Sequence, residues 1–140
     1  MTPLQWGLTL VSVVILGLML WRGREIDRWA ALALLGAQFA TPLIAPLTHA
    51  GVRVGVAGVA IALAGALIAL ALRGRRWWLL AAAGVQLISV ASWAYQILDP
   101  HAQVWAAVTF RIIVWMQLMV LVLFGLLEAR LAPYARPPGR

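Results

Sequence analysis

The sequence predicts an all-α fold, a polytopic membrane bundle of about five transmembrane helices. Two observations carry this prediction. Of the 140 residues, 64% are hydrophobic and only 11% are charged, whereas a soluble domain carries about 25% charged residues. The chain also divides into five apolar runs of roughly 18 to 24 residues, each long enough to cross a hydrocarbon layer about 30 Å thick as a helix.

The helices are bounded by charged residues and prolines. The first run is followed by Arg22-Gly23-Arg24, and we interpret it as a retained helix because it lacks the basic start and small-residue cleavage pattern of a signal peptide. The fourth is closed by Asp99-Pro100 and the fifth by Glu128. We predict one domain over residues 1–130, followed by a Pro- and Arg-rich tail over 131–140. The predicted helices cover residues 4–21, 29–47, 54–72, 77–98 and 104–127.

The arginines predict the orientation of the helices. All eleven basic residues are arginine, and nine of them follow the first, third and fifth helices. Cytoplasmic segments of membrane proteins carry such an excess of basic residues, so we expect the C-terminus in the cytoplasm and the N-terminus outside. A sequence pI of about 11.8 also fits nucleic-acid binding. The arginines form short clusters between apolar runs, however, so we expect no nucleic-acid partner.

Two helical hairpins resemble each other, which predicts an internal duplication. The first repeat covers about residues 4–48 and the second about 54–98, with the fifth helix over 104–130 as an addition. From Arg28 onward the repeats align without a gap at an offset of 48 residues, so that Arg28-Trp29 matches Arg76-Trp77. Farther along, Gly36-x-Gln38 matches Gly84-x-Gln86. The first repeat alone contains the insert Glu25-Ile26-Asp27.

Part of the C-terminal half resembles a known group of proteins. The stretches Arg76-Trp77-Trp78, Gly84-x-Gln86 and Leu98-Asp99 are similar to uncharacterised small multi-pass inner-membrane proteins of alphaproteobacteria. The resemblance implies a bacterial inner-membrane location, and with the orientation that the arginines predict, the N-terminus lies in the periplasm. It implies no activity.

Polar residues on the second and fourth helices form a candidate site. Gln38 and Gln86 each lie nine residues from an interfacial tryptophan, which places them about 13 Å deep. The spacing of three to four residues puts Thr41 on the face of Gln38, and Ser89 and Gln96 on the face of Gln86. These residues could line a polar cavity for transport between the two helices. Alternatively, they form interhelical hydrogen bonds that only hold the bundle together.

Arg111 is the one charge that we predict well inside a span. We expect its side chain to reach toward the outer interface. Asp99 is its nearest acidic candidate, and Trp115 could offer its ring face. A structural tether and a contact with an anion are both open.

Glycines on the third helix predict close packing. Gly51, Gly55, Gly58 and Gly65 run along this helix, and small residues four apart allow two helices to approach closely. We expect this face either to pack within the bundle or to mediate self-association.

Motifs for catalysis and cofactor binding are missing from the sequence. There is no cysteine, which excludes disulfides, iron–sulfur clusters and thiol catalysis. Neither a Ser/His/Asp set nor a pair of catalytic carboxylates is recognisable. We therefore expect no enzyme and no cofactor. The predicted function is an accessory or scaffold subunit in the bilayer, bound to other membrane subunits or to itself. The alternative is a small transporter or channel-like protein.

Overall fold

The computed structural model describes residues 3–49, 53–98 and 104–131, and these residues form five α-helices with no strand. The predicted all-α class with five helices is therefore confirmed for the described chain. The helices are α1 (Pro3–Arg22), α2 (Glu25–Ile44), α3 (Val54–Gly74), α4 (Trp77–Leu98) and α5 (Val104–Leu131).

Three of these helices are long and apolar enough to cross a membrane. The stretches are Val54–Gly74 in α3, Trp77–Gln96 in α4 and Val108–Leu131 in α5. In α1 the apolar stretch Trp6–Arg22 is shorter, and α2 contains charges in its first turn. Many large apolar side chains also face outward, including Leu43, which is 79% exposed. Such an outer surface is suited to lipid rather than to water.

The helices pack as a ring in chain order. Each helix contacts the next one along the chain, and contacts between α1 and α5 close the ring. We call the end where α2 and α4 begin, and where α1, α3 and α5 end, the closed end, because its centre is filled. Leu16, Met19, Leu34, Trp78 and Leu118 are fully buried there or near it. The opposite end is called the open end.

The ends of two helices differ from the sequence prediction in ways that matter for the interior. The second helix begins at Glu25 rather than at Trp29, so Asp27 lies in its first turn. The carboxylate of Asp27 accepts a hydrogen bond from the backbone N–H of Arg24 at 3.2 Å, which closes that turn as a capping residue does. The fifth helix extends to Leu131 and therefore includes Glu128.

The turns between helices are tight at the closed end. Residues Arg75 and Arg76 alone connect α3 to α4. Arg75 adopts a left-handed conformation with φ 46°, which most side chains avoid and which reverses the chain direction at a helix C-terminus. This sharp reversal turns Arg76 inward, where it is 5% exposed.

Candidate functional site

A cavity of about 500 Å³ occupies the half of the ring toward the open end. All five helices contribute to its wall. Its polar side chains come mainly from α2, α4 and α5, and its apolar wall comes mainly from α3 and α5. The exposed residue Arg53, just before α3, also lines the cavity, so the cavity reaches the surroundings at that margin.

Most of the candidate residues predicted from the sequence lie around this cavity. Gln38 and Thr41 line it from α2, Gln86 and Ser89 line it from α4, and Arg111 lines it from α5. Gln96 contacts the cavity through Arg111, because its Oε1 atom accepts a hydrogen bond from Arg111 Nη2 at 2.7 Å. The structure thus assembles residues that are up to 73 positions apart (111 − 38) in the sequence.

Arg111 is held in place by α4. Its guanidinium carbon lies 3.5 Å from the centroid of the Trp93 ring, the arrangement of a cation–π contact. The stacked ring is therefore Trp93 and not Trp115, whose Nε1 atom instead donates to Ser12 Oγ at 2.9 Å. Asp99, the predicted acidic partner, lies outside the described residues. The Nε atom of Arg111 is buried without a hydrogen-bond partner among the described residues.

The two glutamines differ in whether their side-chain amides find hydrogen-bond partners within the protein. Gln86 Nε2 donates to the backbone carbonyl of Ala60 at 3.2 Å, which ties α4 to α3. Gln38 Oε1 is buried and has no hydrogen-bond partner among the described residues. A buried amide oxygen without a partner destabilises the protein unless a ligand or water contacts it. Gln86 is thus a packing residue, while Gln38 has an acceptor free for a ligand.

This difference predicts opposite effects of the same substitution. We expect Gln86→Leu to lower the stability of the purified protein by about 0.6 to 1.7 kcal/mol, since it removes an interhelical hydrogen bond. Gln38→Leu should leave stability unchanged or raise it, because it removes an unsatisfied acceptor. Thermal unfolding in a neutral detergent, followed by circular dichroism, measures both. Equal losses in the two variants would contradict the assignment.

Acidic residues form a second buried cluster at the closed end, which the sequence analysis missed. Asp27 is fully buried. Its Oδ2 atom accepts a hydrogen bond from Arg76 Nη2 at 3.0 Å, and its Oδ1 atom accepts one from Trp78 Nε1 at 3.0 Å. Arg76 Nη2 also donates to the carbonyl of Gly125 at 3.1 Å. These contacts tie the start of α2, the start of α4 and the end of α5 together.

Glu128 completes this cluster by capping α4. Its two carboxylate oxygens accept hydrogen bonds from the backbone N–H groups of Trp77 and Trp78, each at 3.4 Å. The first N–H groups of a helix have no partner within the helix and carry partial positive charge. A buried carboxylate at this position accepts hydrogen bonds from these N–H groups and also balances their partial positive charge. We call Asp27, Arg76, Trp78, Gly125 and Glu128 the closed-end cluster.

The predicted second helix, over residues 29–47, leaves Asp27 outside it, whereas the structure buries Asp27 in the first turn of α2 and buries Glu128 near the end of α5. One signal in the sequence pointed to Asp27. The insert Glu25-Ile26-Asp27 occurs in only one of the two hairpins, and it supplies the carboxylate on which Arg76 and Trp78 of the other hairpin converge.

The glycines of α3 do not behave as a group. A side chain at Gly55 would meet the carbonyl of Ile44 and the Cβ atom of Leu47, so this glycine allows α2 and α3 to approach closely. Gly58 and Gly65 are exposed with open space beside them, and they take no part in packing among the described residues. Gly51 lies outside the described residues. A role of this face in self-association stays a prediction.

Comparisons with known proteins supply no relative. No protein-family model, no curated protein and no solved structure matched the chain. Within the described part of the chain, no three side chains of the His, Cys, Asp and Glu types come together in a possible metal site. The cavity and the closed-end cluster therefore have to be interpreted from their own chemistry.

Proposed function

We propose that this chain is a small polytopic membrane protein that binds an amphipathic anion in its central cavity. This is the ligand-binding form of the transporter alternative that the sequence predicted. The observation that carries the proposal is Arg111, whose charged side chain lines the cavity while one of its nitrogen donors, Nε, has no partner among the described residues.

Membrane residence supports the proposal. Three apolar helices of spanning length and the outward-facing apolar side chains favour an apolar solvent. We propose that all five helices span a bacterial inner membrane, with the open end facing the periplasm. This orientation places nine of the eleven arginines on the cytoplasmic side, as the positive-inside rule demands.

The chemistry of the cavity wall indicates an anionic ligand. Arg111 and Arg53 both line the cavity, and no acidic residue is among the described residues that line it. Hydrogen bonds between a guanidinium and an anion are stronger than hydrogen bonds between two neutral groups. Gln38 Oε1 has no partner among the described residues, so the site can also accept a hydrogen bond from a ligand that carries a donor. Val56, Val59 and Ile112 offer an apolar surface for the rest of the ligand.

The cavity supports ligand binding better than a scaffold role. A scaffold subunit needs a filled core and an outer contact surface, whereas here the five helices leave an unfilled space whose mainly apolar wall also carries amide, hydroxyl and guanidinium groups. Between this space and the other end of the ring lie the buried apolar core, which includes Leu34, Leu67 and Leu118, and the closed-end cluster. Transport through the protein would therefore require the contacts among Asp27, Arg76 and Trp78 to open. The accessory or scaffold function stays an untested prediction, and so does the hairpin duplication.

The duplication has partial support from the positions of aligned residues. Gln38 and Gln86 both line the cavity, and Trp29 and Trp77 are both exposed. The aligned arginines differ, because Arg28 is exposed while Arg76 is buried in the closed-end cluster. If the hairpins descend from one ancestor, this cluster is where they have diverged.

Arg111→Gln tests the proposed function. Benzoate serves as the probe anion, and benzamide serves as its uncharged counterpart of the same shape. We expect wild-type protein in neutral detergent to bind benzoate more tightly than benzamide. Arg111→Gln should weaken benzoate binding by about 10- to 150-fold, the loss of one charge-assisted hydrogen bond worth roughly 1.5 to 3 kcal/mol. Equilibrium dialysis with labelled probe measures the affinity.

Arg28→Gln is the matched control, because it removes an exposed arginine that does not line the cavity. It should bind benzoate as the wild type does. Equal binding of benzoate and benzamide by the wild type would contradict the proposal. Loss of thermal stability in Arg111→Gln, with unchanged benzoate affinity, would show that Arg111 is only a structural tether.

A further inference from the structure

A second opening in the surface lies at the seam of the ring, away from the central cavity. It is a groove of about 380 Å³ between the C-terminal parts of α1 and α5. Four leucines form its walls, and one arginine from each helix lies at its end. The lining residues are Leu18, Arg22, Leu123, Leu126, Leu127 and Arg130.

The groove follows from the topology of the ring. Four of the five contacts in the ring join helices that follow one another in the chain, and the contact between α1 and α5 is the one that closes it. Both helices end at the closed end, so they run parallel, and no tight turn draws them together. Parallel helices without a short connection are free to leave a gap between them, and here the gap remains beside the last two turns of each helix.

The two arginines at the groove, Arg22 and Arg130, form no ion pair with an acidic residue in the described part of the chain. Glu128, which lies two residues before Arg130, turns inward and caps α4 instead. The guanidinium carbon of Arg22 lies 5.0 Å from the centroid of the Trp21 ring, which keeps the charge at the level where tryptophans meet the interface.

We infer that this groove binds one anionic phospholipid, with an acyl chain along the leucines and the phosphate between Arg22 and Arg130. Basic residues that lie above an apolar gap between membrane helices match such a lipid in both charge and polarity. The inference rests on the proposed membrane residence of the chain. It is independent of the ligand of the central cavity, because the two openings share no lining residue.

The test compares phosphatidylglycerol with phosphatidylcholine, which carries no net charge. Purified full-length protein in neutral detergent is titrated with each lipid, and bound lipid is counted by native mass spectrometry. We expect one phosphatidylglycerol to bind in preference to phosphatidylcholine. In the double variant Arg22→Gln/Arg130→Gln, its affinity should fall about 30-fold, as expected for two arginines that each contact an anionic head group.

Arg73→Gln controls for the loss of a positive charge at the closed end outside the groove. Arg73 lies in the last turn of α3, also at the closed end, but it does not line the groove. We expect this variant to bind phosphatidylglycerol within about twofold of the wild type, because it makes no contact with the lipid. Equal losses in Arg73→Gln and the double variant would overturn the inference in favour of general charge attraction.

Leu123→Trp tests the groove without changing charge. The larger side chain fills the space between the helices, so phosphatidylglycerol should be lost although both arginines remain. Retention of the lipid in this variant would overturn the inference, and so would a wild type that binds both lipids equally. Dimers that form in place of lipid binding would assign the groove to a second copy of the chain. Benzoate binding in each variant reports separately on the central cavity.

Discussion

Among the variants with a stability measurement, Asp27→Leu is expected to cause the largest loss, about 3 to 5 kcal/mol. Asp27 is fully buried and accepts hydrogen bonds from Arg76 and Trp78. Without this carboxylate, the guanidinium of Arg76 would remain buried with no counter-charge. Removal of one partner from a buried ion pair costs more than removal of both, because an uncompensated charge stays behind. Thermal and denaturant unfolding in neutral detergent measure the loss.

Glu25→Leu is the matched control for Asp27→Leu. Glu25 lies in the same first turn of α2, but it is exposed, so its substitution should change stability by less than about 0.5 kcal/mol. The double variant Asp27→Leu/Arg76→Leu should be less destabilised than the sum of the two single variants. Additive losses would show that the two residues do not act as a pair, and equal losses in Asp27→Leu and Glu25→Leu would refute the burial of the carboxylate.

Gly125→Ala is expected to have the second largest effect, a loss of about 1 to 3 kcal/mol through overpacking. A Cβ atom at this position would lie 2.7 to 2.8 Å from three ring atoms of Trp78, closer than van der Waals contact allows. The indole ring has no room to yield, because it is fully buried and its Nε1 atom is hydrogen-bonded to Asp27. The added methyl group must therefore displace the ring or the backbone of α5.

Gly58→Ala is the control for Gly125→Ala and should have the opposite sign. Nothing lies within 4 Å of the Cβ position at Gly58, and alanine in a helix interior is more favourable than glycine by about 0.5 to 1 kcal/mol. In a Trp78→Leu background, Gly125→Ala should become nearly neutral, since the clashing ring is gone. A destabilising effect of equal size in both backgrounds would refute the packing of Gly125 against Trp78.

Asp27 and Gly125 both lie at the closed end of the ring, opposite the cavity in which we propose that the ligand binds. The closed-end cluster combines a buried ion pair, a capped helix start and a tightly packed indole ring. Together these contacts hold the closed end rigid while the open end retains the cavity. Variants that loosen the cluster, such as Asp27→Leu, therefore test whether the cavity depends on a fixed closed end, through their affinity for benzoate.

Local features of the sequence were sufficient to predict several properties of this protein. The length and apolarity of the runs predict the five helices, because a helix of known rise must match the thickness of an apolar layer. Helical periodicity places Gln38 with Thr41, and Gln86 with Ser89, because residues three apart share a helix face. Both properties depend on neighbours along the chain, and the sequence shows those neighbours directly.

Contacts between helices were decided only by the tertiary structure. Asp27 meets Arg76 and Trp78 from 49 and 51 residues away, and Arg111 stacks on Trp93 rather than on Trp115. The physical reason is that these helices are apolar on nearly every side, so no polar face marks the direction of the interior. The rotation of each helix then follows from packing against its neighbours. That packing selected which polar groups became buried partners and which were left to line the cavity.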